Sequence, residues 1–311
     1  MTQRANLAFF GLLVMLLSSF VFATAANAIP ATTKVGDVIE VQLSQLNPTQ
    51  PSIGYDQVFY KLGRFQVDLK KQFDEICEAN GQKGLESFNE QSVQADRDSF
   101  SCKEAIGSRA NEMKTVVLAP DNNYYLTDGH HTFNTFWHMQ GGGSTFPIHV
   151  VVTHDYRELA DMQAFWQAMQ QDGNVWLFDL NNQAIAAEQL PASLGMENFA
   201  NDAYRSLMYF SRKVSWAKPK QPVPFLEFYW AKELKPLIDL GNYDLSDMDS
   251  YVQAITDAAD IILNLDTDSL GGSGLSAVEM GQMKEFKAKT LSKLQTEKGK
   301  LFYSLAYKAQ Q

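Results

Sequence analysis

Thr127-Asp128-Gly129-His130-His131-Thr132 joins two different patterns. Before it, Thr115-Val116-Val117-Leu118 and Tyr124-Tyr125-Leu126 are short apolar runs separated by Pro120-Asp121-Asn122-Asn123, which predicts a β-hairpin. After it, Phe133, Phe136, Trp137 and Met139 recur at helical spacing until Gly141-Gly142-Gly143, which predicts a helix. The six residues therefore occupy a strand-to-helix junction. The first N–H groups of a helix lack partners and carry the positive end of its dipole, so such a junction favours an anion. Gly129 allows close backbone approach. His130 and His131 can donate hydrogen bonds or, if protonated, add charge. Asp128 can orient a histidine, act as a base, hold a divalent cation such as Mg²⁺, or simply cap the helix. Such a junction suits phosphate or another oxyanion.

Outward from this junction, all five histidines lie between residues 130 and 154. His138, two helical turns beyond His131, sits beside Trp137 and reads as a packed or rim residue. His149 and His154 differ in strand parity, so they point to opposite faces unless a bulge intervenes. A zinc site from His130, His131 and His138 has poor ligand spacing, and nothing resembles H-E-x-x-H. Val38 to Leu43 alternates as a strand, and Tyr55, Val58, Phe59 and Leu62 predict a short helix carrying Lys61. Ile148 to Thr153 is a nearly continuous apolar strand, which predicts burial on both faces. Asp155 and Glu158 resemble a capping box that opens a helix with the stripe Leu159, Met162, Trp166 and Met169. Further helices are expected over 201–210, 225–240, 247–265 and 277–309. The predicted fold class is α+β: a small mixed sheet with helices over residues 29–155, then a mostly helical region over 156–311.

The chain has 311 residues, 45% of them hydrophobic, which is enough for a substantial core. Twenty-six basic and 36 acidic residues give a net charge of −10, the opposite of the balance that sequence-independent nucleic-acid binding requires. Acidic residues crowd 239–279 and lysines crowd 281–311, as expected of two antiparallel helices with complementary solvated faces; a lysine-rich helix that meets an anionic partner is the alternative. Residues 1–28 carry Arg4, the apolar run Leu7 to Phe22 and Ala26-Asn27-Ala28, the pattern of a secretory signal peptide. A periplasmic or secreted location follows, with no membrane-spanning segment after cleavage. There Cys77 and Cys102, the only cysteines, are expected to form a disulfide across the polar loop between them.

The sequence also resembles the ParB/sulfiredoxin superfamily, and within it the ParB-like nuclease branch. The Asp128-Gly129-His130-His131 turn resembles the superfamily's phosphate-binding motif. Leu46-Asn47-Pro48-Thr49-Gln50 with Gly54, Val58 and Lys61 resembles the branch's N-terminal signature. Asn201 to Leu207 and Phe225 to Ala231 resemble its helical motifs, so the likeness runs from about residue 36 to 240. It implies a small mixed sheet and a phosphate held by Asp128, Gly129, His130 and His131. Lys61 and Arg205 would clamp the anion, and Glu227 would act behind them or in proton transfer. Thr132 stands where related motifs usually carry Arg, which removes one bidentate phosphate contact. No cysteine lies in the motif, which excludes sulfiredoxin chemistry, and export argues against the nucleoside-triphosphate roles of other members.

Three functions are compatible with these residues. The first is an exported nuclease or phosphodiesterase using Asp128, His130 and His131, with Mg²⁺ or another divalent cation as its candidate cofactor. The second is a binding module for a phosphorylated or other anionic ligand, and the third is an envelope structural protein that keeps a relic site.

Overall fold

Val38–Gln42 forms strand β1 at one edge of a sheet in the computed structural model, which describes residues 29–311. The signal-peptide pattern lies outside the described residues. Strands β2 (Leu46–Pro48) and β3 (Ser52–Ile53) lead into helices α1 (Tyr55–Val67) and α2 (Leu69–Ala79). The short pair β4 (Leu85–Ser87) and β5 (Ser101–Cys102) follows. Then come the predicted hairpin, β6 (Thr115–Leu118) and β7 (Tyr124–Leu126), helix α3 (His130–His138) and strand β8 (Pro147–Asp155). Helix α4 (Met162–Gln171) and strand β9 (Ala200–Asn201) precede five more helices. These are α5 (Ala203–Ser211), α6 (Leu226–Leu234), α7 (Met248–Asn264), α8 (Ala288–Leu294) and α9 (Lys300–Lys308).

The five-stranded sheet runs β1-β8-β6-β7-β2, with β1–β8 and β6–β7 antiparallel and β8–β6 and β7–β2 parallel. Its main core joins Ile148, Val150 and Val152 of β8 to Phe133 and Phe136 of α3 and Val58 and Leu62 of α1. Contrary to the expected double burial, β8 alternates: those three residues are buried and His149 and Val151 are half-buried. The opposite face is covered locally, where Val117 and Ala119 meet Phe165 and Met169 of α4. A second core, built around Trp216, Trp230, Tyr251, Ile255 and Ile262, unites α5, α6 and α7.

Helix α9 lies along α1, and Gly63 permits the approach: a Cβ there would stand 2.3 Å from the Tyr303 carbonyl oxygen. At the other end of α1, Asp56 is buried. Tyr251 donates to one of its carboxylate oxygens at 3.0 Å, Lys308 to the other at 3.2 Å, and Ser304 to its main-chain oxygen at 2.8 Å. The cysteines form a disulfide with Cα atoms 5.7 Å apart, tying β5 to α2. No helix among the described residues is long and apolar enough to cross a membrane.

Three helix boundaries differ from expectation. Asp155 binds the Arg157 guanidinium at 2.6 and 2.8 Å instead of capping a helix; Asp161 caps α4, accepting from Ala164 N–H. Helix α6 ends at Leu234, short of residue 240. The single lysine-rich helix expected over 277–309 is two short helices, because residues 281–287 are drawn out of helix by main-chain bonds to Val214, Ser215 and Ala217. The complementary pair of long helices therefore does not form, and the last lysine of α9 pairs with Asp56 of α1.

Candidate functional site

Hairpin register builds the first wall of the site. Val116 pairs with Leu126, and Thr127 N–H donates to the Thr115 carbonyl, so Lys114 lies beside Asp128. Their side chains form an ion pair at 2.9 Å. Gly129 follows with φ 117° as the residue that opens α3, a conformation suited to glycine. Asp128 is thus not the helix cap, and no side chain caps α3. The leading N–H groups of His130, His131 and Thr132 have no intrahelical acceptor and border an open cavity of about 270 Å³.

Both histidines are tied to the backbone opposite. Thr49 N–H donates to His130 Nε2 and Gly54 N–H to His131 Nε2, each at 3.0 Å. With Nε2 accepting, the neutral ring carries its proton on Nδ1 and can only donate from there. Burial, only partly opposed by Asp128, pushes His130 down to about 3. Burial, reinforced by Arg205, holds His131 well below its ordinary value. Both are neutral imidazoles at physiological pH.

Helices α5 and α6 supply the far wall. Asp202 caps α5 by accepting from Arg205 N–H at 2.9 Å, which starts the turn that presents Arg205. The Arg205 guanidinium donates to Gln57 at 3.1 Å and lies 3.7 Å from Glu227. Its Nε is buried without a partner among the described residues. Glu227 also pairs with Arg212, and Lys218 stands 3.9 Å away. Burial alone would raise the Glu227 carboxyl, but Arg205, Arg212 and Lys218 hold it at about 2. A carboxylate so strongly ionised orients guanidinium groups and is a poor proton carrier. For Asp128, burial is likewise outweighed by Lys114, which keeps the carboxyl below its ordinary value.

The structure brings Lys61, Asp128, Gly129, His130, His131, Thr132, Arg205 and Glu227 to this one cavity. Lys61 stands at its edge, paired with Glu75 at 2.5 Å. The remaining histidines are elsewhere. His138 accepts from Met196 N–H at 2.9 Å, His149 contacts Asn80, and His154, beyond a register shift in β8, stacks on Tyr156. Among the described residues no three His, Cys, Asp or Glu side chains converge as a metal site, and His138, bonded to Met196, stands apart from the His130–His131 pair. Sequence reasoning missed Lys114, Arg212 and Lys218. The hairpin register could have placed Lys114, and Arg212, seven residues from Arg205, is spaced to share its helix face; Lys218, in an irregular segment, left no signal.

Five cationic side chains (Lys61, Lys114, Arg205, Arg212 and Lys218) face two carboxylates around the unpartnered start of a helix. A curled mixed sheet leading into such a helix is the ParB/sulfiredoxin-like arrangement. The family model described as "Putative ParB-like nuclease" matches residues 39–236, and the chain belongs to that family. The crystal structure of protein Atu1540 from Agrobacterium tumefaciens is similar over 74% of this chain and 92% of that one, at 20% identity and a TM-score of 0.51. That likeness concerns the fold. No curated protein sequence matches the chain.

Proposed function

We propose that this cavity binds a phosphate ester and that the protein is a phosphodiester-cleaving enzyme of the ParB-like nuclease family. The observation that carries the reading is the buried, unpartnered Nε of Arg205 in the same cavity as the free N–H groups of His130, His131 and Thr132. A phosphate placed in the cavity would satisfy the N–H groups at the helix start and meet the positive charge of the Arg205 guanidinium. Arg212, Lys114 and Lys61 add positive charge where a phosphoryl group gains negative charge.

The proton-transfer role expected of the histidines does not fit this geometry, since each ring's lone pair already accepts a main-chain N–H. They serve as neutral donors and as pins between α3 and the segment Thr49–Gly54. Asp128, ionised beside Lys114 at the rim of the cavity, is the carboxylate left to take a proton from an attacking water. A resident divalent cation does not fit these residues: Asp128 is paired with Lys114, Glu227 is occupied by arginines, and the surroundings are cationic. The N-terminal export pattern and the Cys77–Cys102 disulfide support a place outside the reducing cytosol.

The tied imidazoles also favour a second reading, ligand binding without turnover. The test takes the mature, disulfide-intact protein with single-stranded DNA, RNA and a bis-aryl phosphate, with and without Mg²⁺, Mn²⁺ or Zn²⁺. Cleavage without added metal that falls about 10²-fold or more in Asp128→Asn is the expected result. No cleavage, with inorganic phosphate still raising Tm in the wild type and not in Arg205→Gln, selects the binding module. Absence of both sinks the reading.

A further inference from the structure

Beside the phosphate cavity, and sharing Lys61 and Arg212 with it, lies a second concentration of positive charge whose other cations, Arg64 and Lys300, the reading above leaves unused. Tyr60 of α1 and Tyr209 of α5 are buried with ring centroids 6.1 Å apart. Lys300, the first residue of α9, lies 5.6 Å from the Tyr60 centroid and 4.6 Å from that of Tyr209. Lys61 and Arg64 lie 5.6 and 5.2 Å from the Tyr60 centroid, and Arg212 lies 5.2 Å from that of Tyr209. Four cations thus surround two rings.

Their compensation is incomplete. Glu75 is shared by Lys61 and Arg64, and Glu227 by Arg212 and Arg205. Among the described residues Lys300 has no carboxylate partner, and neither phenol oxygen of Tyr60 or Tyr209 has a hydrogen-bond partner. The Nε atoms of Arg64 and Arg212 are buried without acceptors. Burial, followed by the like charges of Arg212, Lys61, Lys213 and Arg64, lowers Lys300 to about 8. Cation–π attraction to the two rings steadies such a cluster, but it leaves the N–H and O–H donors free for an anion.

Lys61, Tyr209 and Arg212 belong both to this cluster and to the lining of the phosphate cavity, so the two are contiguous. We infer that the cluster is a second anion subsite, and that the ligand carries two phosphate groups joined by a short bridge, one in each subsite. Adjacent phosphates of a single nucleic-acid strand and a bisphosphorylated nucleoside both have this chemistry. The inference rests on the phosphate cavity described above, and its test separates failure of one from failure of the other.

The mature protein is titrated calorimetrically with inorganic phosphate, a nucleoside 5′-monophosphate, a nucleoside 3′,5′-bisphosphate and a tetrathymidylate, at one fixed salt concentration. The bisphosphate is expected to bind at least about tenfold more tightly than the monophosphate, the effect of a charge-assisted contact made only by the second group. Lys300→Ala is expected to erase that advantage and to leave inorganic phosphate unchanged, with Lys300→Arg restoring it. Tyr60→Phe/Tyr209→Phe keeps the rings and is expected to reduce the same advantage. A bisphosphate that binds no tighter than the monophosphate overturns the second subsite, as does a Lys300→Ala variant that weakens all four ligands equally. Failure of every anion to bind overturns the phosphate cavity itself. Tetrathymidylate binding above the bisphosphate assigns a nucleic-acid strand; equal binding assigns a small bisphosphorylated molecule.

Discussion

His130 and His131 pin the start of α3 to the segment Thr49–Gly54 as neutral rings, and pH exposes this. Their folded-state pKa values lie below the unfolded value of about 6.5. The unfolded chain therefore takes up protons first, so their contribution to stability is complete above about pH 6.5 and is lost as pH falls toward the folded values. Each neutral ring is expected to cost about 1.4 kcal/mol of stability per pH unit below 6.5. Urea unfolding midpoints measured from pH 7.5 to 5 check this. The slope should shrink by about half in His131→Asn, and an unchanged slope would mean the rings are not held neutral. At this scale the sequence was informative: the Asp-Gly-His-His turn marks the helix start, and the family likeness points to Arg205 and Glu227. What it could not convey is that Nε2 of each histidine is occupied, since Thr49 and Gly54 lie about eighty positions away in the chain.

Among the elements, α1 holds the site together: its N-terminal end supplies the Gln57 contact to Arg205, directly after the Gly54 contact to His131, and its length is buried under α9. Gly63 reports how close that packing is. Gly→Ala inside a helix ordinarily stabilises by up to about 1 kcal/mol, but here the added methyl would collide with the Tyr303 carbonyl. The sign is expected to reverse, with Gly63→Ala costing about 1–3 kcal/mol as an overpacked contact. Thermal unfolding of the variant measures it, and a stabilised protein would contradict the packing. Strands β1, β6, β7 and β8 and the apolar stripes of α1, α3 and α4 were legible because local periodicity and tertiary burial agree; the two- and three-residue strands β2 to β5 and β9 are too short to show a period. The segment before α8 was not. Its lysine spacing suits a helix, yet Gly281 has φ 93° and its neighbours bond to residues 214–217, a non-local choice that helical periodicity does not encode.

For the whole molecule, a net charge of −10 coexists with a pocket of five cations, so charge separation and not net charge carries the binding argument. The disulfide has a comparable long reach. It ties β5 to α2, and Glu78, Lys83, Arg109 and Glu112 of the same part of the chain line a neighbouring cleft of about 410 Å³ that shares Lys61, Lys114 and Thr132 with the cationic cavity. Cys77→Ser/Cys102→Ser is expected to lose about 3 kcal/mol of stability, read from unfolding midpoints against the oxidised wild type. A difference below about 1 kcal/mol would show that the loop is ordered without its tether. The buried meeting of Asp56 with Lys308 has a consequence in time. These partners are separated by 252 positions, so on a growing chain α1 waits for its cover while all the elements between them are made. Long-range closure of this kind is slow, so the docking of α9 on α1 is expected among the late events of folding.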